Sequence, residues 1–244
     1  MTMAKSHSKR QAQKEEKQSK RHAQRIAAQK ENSLRRMKKN VMWAIVVLIS
    51  LAIIITLLRS TSVSTEGLPE LSLTQTAETD YPLGTNDKIV IMEYSDFQCP
   101  ACRSVEPLVK ALVEKYGDNI TFVYRDFPLK QIHAKATIAA QAAHAAGAQG
   151  KYWEMHNMLF EMQEEWATGS HVNLFIEYAT TLNLNVTQFE LDLNSDETKA
   201  IVTNNYEHGL SLGIQGTPTF FLNGKRVSVT GLDDFSRRID SLLR

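Results

Sequence analysis

The chain has two cysteines, and both lie in one motif, Cys99-Pro100-Ala101-Cys102. Two sulfurs at this spacing can bond to each other, supply part of a metal site or anchor a haem. The residues on either side discriminate. Ile89-Val90-Ile91-Met92 before the motif shows no polar alternation, as expected of a strand buried on both faces. After it, Val105, Leu108, Val109, Leu112, Val113 and Tyr116 recur at helical spacing as one apolar stripe. The motif therefore sits where a strand gives way to a helix, and the positive end of a helix favours thiolate over thiol. That is the setting for thiol–disulfide exchange.

The rivals fare worse. A structural zinc ion needs four ligands, and the histidines at 7, 22, 133, 144, 156, 171 and 208 stand no closer than 11 residues apart, so no close pair completes a site. Haem attachment requires a histidine directly after the second cysteine, where Arg103 stands. An inert disulfide closing so short a loop would stabilise little. No metal or organic cofactor is expected, only the redox-active Cys99–Cys102 pair.

Charge divides the chain. Residues 1–40 hold 13 Lys and Arg against 3 Glu, a net of +10, while the remainder carries −9. Between them Val41 to Leu58 is eighteen residues without a charge, long enough to span a bilayer at ~1.5 Å per residue. Trp43 suits the interfacial position, and the basic excess before the segment predicts a cytoplasmic N-terminus. Residues 1–40 then read as a basic cytoplasmic tail, 41–58 as a single transmembrane helix, and everything beyond as extracytoplasmic. A cleaved signal peptide is the alternative; its apolar region would be shorter, and no small-residue cleavage pattern follows Arg59. The tail, with Arg35-Arg36 and Lys38-Lys39, could meet anionic lipid or nucleic acid. It has no aromatic residue to stack on a base, so nucleic-acid binding is disfavoured.

Residues 59–80, rich in Ser, Thr and Glu, read as a linker, with a folded domain over 81–244. Ile120–Tyr124 reads as a second strand. Residues 129–212 look helical, with an alanine-dense run from His133 to Ala148 and a stripe of Tyr152, Met155, Leu159 and Met162. Asn194-Ser195-Asp196-Glu197 marks a helix start. Thr219–Leu222 and Val227–Val229 flank Asn223-Gly224, a two-residue hairpin signal, and Asp233–Leu243 reads as a closing helix with Phe235, Ile239 and Leu242 inward. The order is strand, helix, strand, helical block, hairpin, helix. It predicts an α/β fold: a mixed sheet with an all-helical insertion over about 129–212.

This arrangement resembles the DsbA-like family of extracytoplasmic thiol:disulfide oxidoreductases, a thioredoxin fold carrying an inserted helical domain. The resemblance covers about 81–244. It rests on Glu93-Tyr-Ser-Asp-Phe-Gln-Cys99-Pro-Ala-Cys102, Pro107, Tyr124-Arg-Asp-Phe-Pro128, the segment from His133 to His156, and Gly216-Thr-Pro-Thr-Phe220. It implies that Cys99 is the exposed nucleophile and Cys102 its buried partner, in keeping with a cap position and a position one turn inside. It implies a cis bond between Thr217 and Pro218, with substrate lying against Thr217, Pro218, Pro100 and Ala101; an ordinary trans proline opening a strand is the alternative. Glu93, a carboxyl in an apolar strand, reads as a buried acid that exchanges a proton with Cys102, or else as an outward or salt-bridged residue. His133 and His156 are read as structural. Two features depart from the strongly oxidising type: Ala101 replaces a histidine and cannot donate to the thiolate, and Thr217 precedes the proline.

The implied activity is introduction of disulfides into unfolded, newly exported proteins, with reoxidation by a DsbB- or VKOR-type membrane partner. A reductase or isomerase of the same fold and a tethered peptide-binding assembly factor remain the rival readings.

Overall fold

The structure, a computed structural model, describes residues 71–244 together with 37, 39–43, 45–51, 53 and 54. Two units divide near residue 62 and are described separately. In the first, the described residues are helical and exposed, Trp43 among them. Among the described residues no helix is long and apolar enough to cross a membrane, and the rest of the expected 41–58 span lies outside them. The basic tail, apart from Met37, Lys39 and Asn40, also lies outside.

The second unit is built on four strands: β1 (Val90–Ser95), β2 (Thr121–Asp126), β3 (Thr219–Leu222) and β4 (Lys225–Val227), ordered β2-β1-β3-β4. β1 runs parallel to β2 and antiparallel to β3, which pairs antiparallel with β4. Between β1 and β2 lies α1 (Pro100–Tyr116); between β2 and β3 lie α2 (Ala136–Gly147), α3 (Tyr152–Glu161), α4 (Gln163–Thr168), α5 (His171–Thr181), α6 (Val186–Leu193) and α7 (Asp196–Ser211); α8 (Leu232–Leu242) closes the chain. This is a thioredoxin-like mixed sheet with a helical insertion.

Both faces of β1 are covered, which accounts for the apolar run from Ile89 to Met92. Val90, Met92 and Tyr94 point to one side with Val123, Phe127 and Phe221. Ile91 points to the other, into the larger core with Val109, Leu112, Tyr116, Phe220, Phe235 and Ile239. Because side chains alternate along a strand, Glu93 shares the face of Ile91, beneath α1. Asn223 and Gly224 both have positive φ, 47° and 77°, as a two-residue hairpin turn requires.

The structure differs from the sequence reading at several points, β4 among them, which spans Lys225–Val227 rather than Val227–Val229. Residues 71–80 are packed rather than a tether: Arg125, with a fully buried side chain, takes Asp80 as its counter-ion at 2.7 Å and donates to Ser72 O at 2.6 Å. The remainder of the expected linker, 59–70, lies outside the described residues. The stretch 128–135 is a loop, because Asp96 Oδ2 accepts from the backbone N–H of Leu129 and pairs with His133 Nδ1. Met162 and Leu242 are exposed, the first at the break between α3 and α4, the second at the frayed end of α8.

Candidate active site

Cys99 is the N-cap of α1, with Pro100 at the first helical position. Proline there loses nothing, since that N–H has no helical partner. The Cys99 backbone is fixed on both sides: its N–H donates to Asp96 O at 3.0 Å and its carbonyl accepts from Arg103 N–H at 3.1 Å. Cys102 lies one turn inside, 1% exposed. Cys99 is itself only 7% exposed, so the expected exposed nucleophile is a largely covered one. Thr217 and the core beneath α1 screen it, and Pro100 and Ala101 form the open rim.

The antiparallel register of β3 on β1 sets Tyr94 opposite Thr219, which brings the preceding loop beside the motif. The Thr217–Pro218 peptide is cis. Cys99 Sγ lies 3.6 Å from Thr217 O, and Thr219 Oγ1 donates to Gly216 O to fix the loop. Thr217 O thus lies against the sulfur, with Pro218 next to it across the cis peptide and Pro100 and Ala101 following Cys99 in the chain.

The two thiols, unbonded to each other here, are driven apart in acidity. A hydrogen bond from Cys102 brings Cys99 down to about 5 against the opposing effect of burial, with Thr217 and the N–H groups of Cys102 and Ala101 adding to it. Burial, the bond to Cys99 and the charge of Glu93 push Cys102 well above the ordinary thiol range. Glu93, 2% exposed, is raised to about 8 by burial, with Glu106 as a smaller like-charge contribution. A protonated carboxyl therefore stands beside the inner cysteine at neutral pH. His156 is buried among Phe97, Tyr124, Trp153 and Phe160 and is held neutral, pushed down to about 3 by burial. His133 braces the loop leading to Cys99 through Asp96.

Two residues escaped the sequence reading. Glu106, raised to about 7 by burial, lines a cleft of about 360 Å³ with Arg103, Pro107, Lys110, Phe160 and Glu161. Its spacing of four from Cys102 puts it on the same helical face, a signal that was available. Gln163 donates to the carbonyls of Phe97 and Cys99 from the helical insertion; nothing in local sequence announces that contact. Among the described residues no three His, Cys, Asp or Glu converge to hold a metal ion.

An acidic outer thiol at a helix start, a buried inner thiol and a cis-proline loop on a thioredoxin-like sheet define the thiol:disulfide oxidoreductase class. The chain belongs to the thioredoxin family: the family model described as thioredoxin matches residues 76–241. Among solved structures, a thioredoxin-like oxidoreductase from Silicibacter pomeroyi is 27% identical with a TM-score of 0.58, covering 67% of this chain and 92% of its own. Alpha-DsbA1 of Wolbachia pipientis is 25% identical with a TM-score of 0.58, over 73% and 95%. A curated relative, the Na(+)/H(+) antiporter NhaA 1 of Salinispora arenicola, is 34% identical over 162 residues, 66% of this chain. The chain spans about a quarter of that relative's length, 24%.

Proposed function

We propose that this protein is a membrane-anchored, extracytoplasmic oxidase that introduces disulfides into newly exported proteins. The observation that carries the redox reading is geometric: Cys99 caps α1, Cys102 lies buried one turn inside, and Thr217 O of the cis Thr217–Pro218 loop lies 3.6 Å from Cys99 Sγ. In the oxidised enzyme a substrate thiolate attacks Cys99 Sγ and the Cys99–Cys102 bond breaks, forming a mixed disulfide. Cys102 leaves as a thiolate and takes a proton from Glu93. A second substrate thiolate attacks the substrate sulfur, forming the product disulfide and releasing Cys99 as a thiolate. Two substrate thiols are oxidised, and the enzyme disulfide becomes a dithiol. The low pKa of Cys99 makes its thiolate a good leaving group and favours this direction.

A DsbB- or VKOR-type membrane partner would restore the disulfide. The bilayer span over 41–58 is supported by its eighteen uncharged residues and the basic stretch before it. The test is oxidation of a reduced, unfolded secretory protein by the full chain. Wild type should form the disulfides and Cys99→Ser should not. Equal activity in both would overturn the proposal, and retained peptide binding by an inactive wild type would favour an assembly factor.

A further inference from the structure

The helical insertion reaches the nucleophile through one side chain. Gln163, 4% exposed at the start of α4, directs both hydrogens of its amide at backbone carbonyls, Phe97 O at 2.7 Å and Cys99 O at 3.1 Å. The other end of α4 is tied to the same loop. Lys135 Nζ donates to the carbonyls of Trp166, Ala167 and Gly169, and the backbone N–H of Lys135 donates to Gln98 Oε1 at 2.8 Å. A six-residue helix, too short to hold its place by itself, is thus clamped at both ends to the segment 97–99.

We infer that Gln163 is a positioning residue for the redox reaction, fixing the Cys99 backbone so that its sulfur stays over the start of α1 and against Thr217. The inference rests on the reading of Cys99 as the exchanging thiol. Its physical basis is that the N-cap torsions of Cys99, φ −78° and ψ 121°, set where the sulfur lies relative to the free N–H groups of the first turn. Those groups favour the thiolate only within the first turn. With the amide removed, two carbonyls of the approach loop lose their side-chain donor and the cap residue gains freedom. The sulfur then spends less time where the helix start and Cys102 stabilise its charge.

The test compares full-length wild type with Gln163→Leu in detergent micelles, reading the thiolate of Cys99 by its ultraviolet absorbance against pH and the exchange equilibrium with glutathione. Loss of the amide should raise the Cys99 midpoint by about half a pH unit or more and move the glutathione equilibrium about threefold toward the oxidised protein. Gln163→Met, flexible and also without donors, provides the same reading if the leucine variant does not fold. A folded variant with lowered thermal stability but an unmoved thiolate midpoint and equilibrium would overturn the inference, leaving Gln163 as a packing brace. An ordinary thiol midpoint in the wild type would instead overturn the redox reading itself, and the inference with it.

Discussion

At the scale of single residues, Glu93 is where chemistry and stability meet. Its carboxyl is raised from 4.5 to about 8, so the folded chain keeps a proton that the unfolded chain gives up. Stability should therefore fall as pH rises from about 5 to about 8, by up to roughly 3–5 kcal/mol from this group. Glu93→Gln should flatten that slope in urea titrations while slowing release of Cys102 in exchange assays. A steep loss retained in the variant would show that other groups carry it. Cys99 acts in the opposite sense: lowered to about 5, it stabilises the reduced protein increasingly from about pH 5 to about 9. Unfolding curves of the reduced and oxidised forms should diverge over that window, with the reduced form favoured. The two cysteines and the buried acid were legible because spacing and an out-of-place carboxyl carry the signal. Gln163 was not, since its contact with Cys99 spans 64 positions and depends on how the insertion folds back.

At the scale of elements, local pattern was sufficient wherever an element carries its own reason for existing. β1 reads as buried on both faces because it is; the β3–β4 turn needs positive φ and has Asn223-Gly224; α7 starts at Ser195, which caps Thr198 N–H. Pattern failed where a distant charge decides. Residues 71–80 look like a tether by composition, yet Asp80 is the counter-ion of Arg125, whose side chain is fully buried. Arg125→Met should cost about 3–5 kcal/mol in denaturant midpoint, because it leaves Asp80 buried and unpaired. Asp80→Asn combined with Arg125→Met should recover part of that loss. A single variant as stable as wild type would mean that the Asp80–Arg125 pair contributes nothing net to the fold.

At the scale of the whole molecule, a basic tail and an apolar stretch precede an acidic redox domain. The proposed anchor predicts that full-length protein remains with membranes through high salt and alkaline washing, whereas a chain lacking residues 1–58 is released as a soluble redox domain. Recovery of the full chain in the soluble fraction would contradict anchoring and leave the redox chemistry untouched. The mixed sheet with its helical insertion was legible at this scale from element order, while the direction of electron flow was not, because Ala101 and Thr217 alter the surroundings of a shared motif without changing the fold. The decisive measurement is the reduction potential of the Cys99–Cys102 pair in the full-length protein, by equilibration with glutathione. The acidity of Cys99 predicts a value above about −200 mV, that of a dithiol oxidase. A value near −270 mV, about that of thioredoxin, would contradict the oxidase account and assign the pair to a reductase.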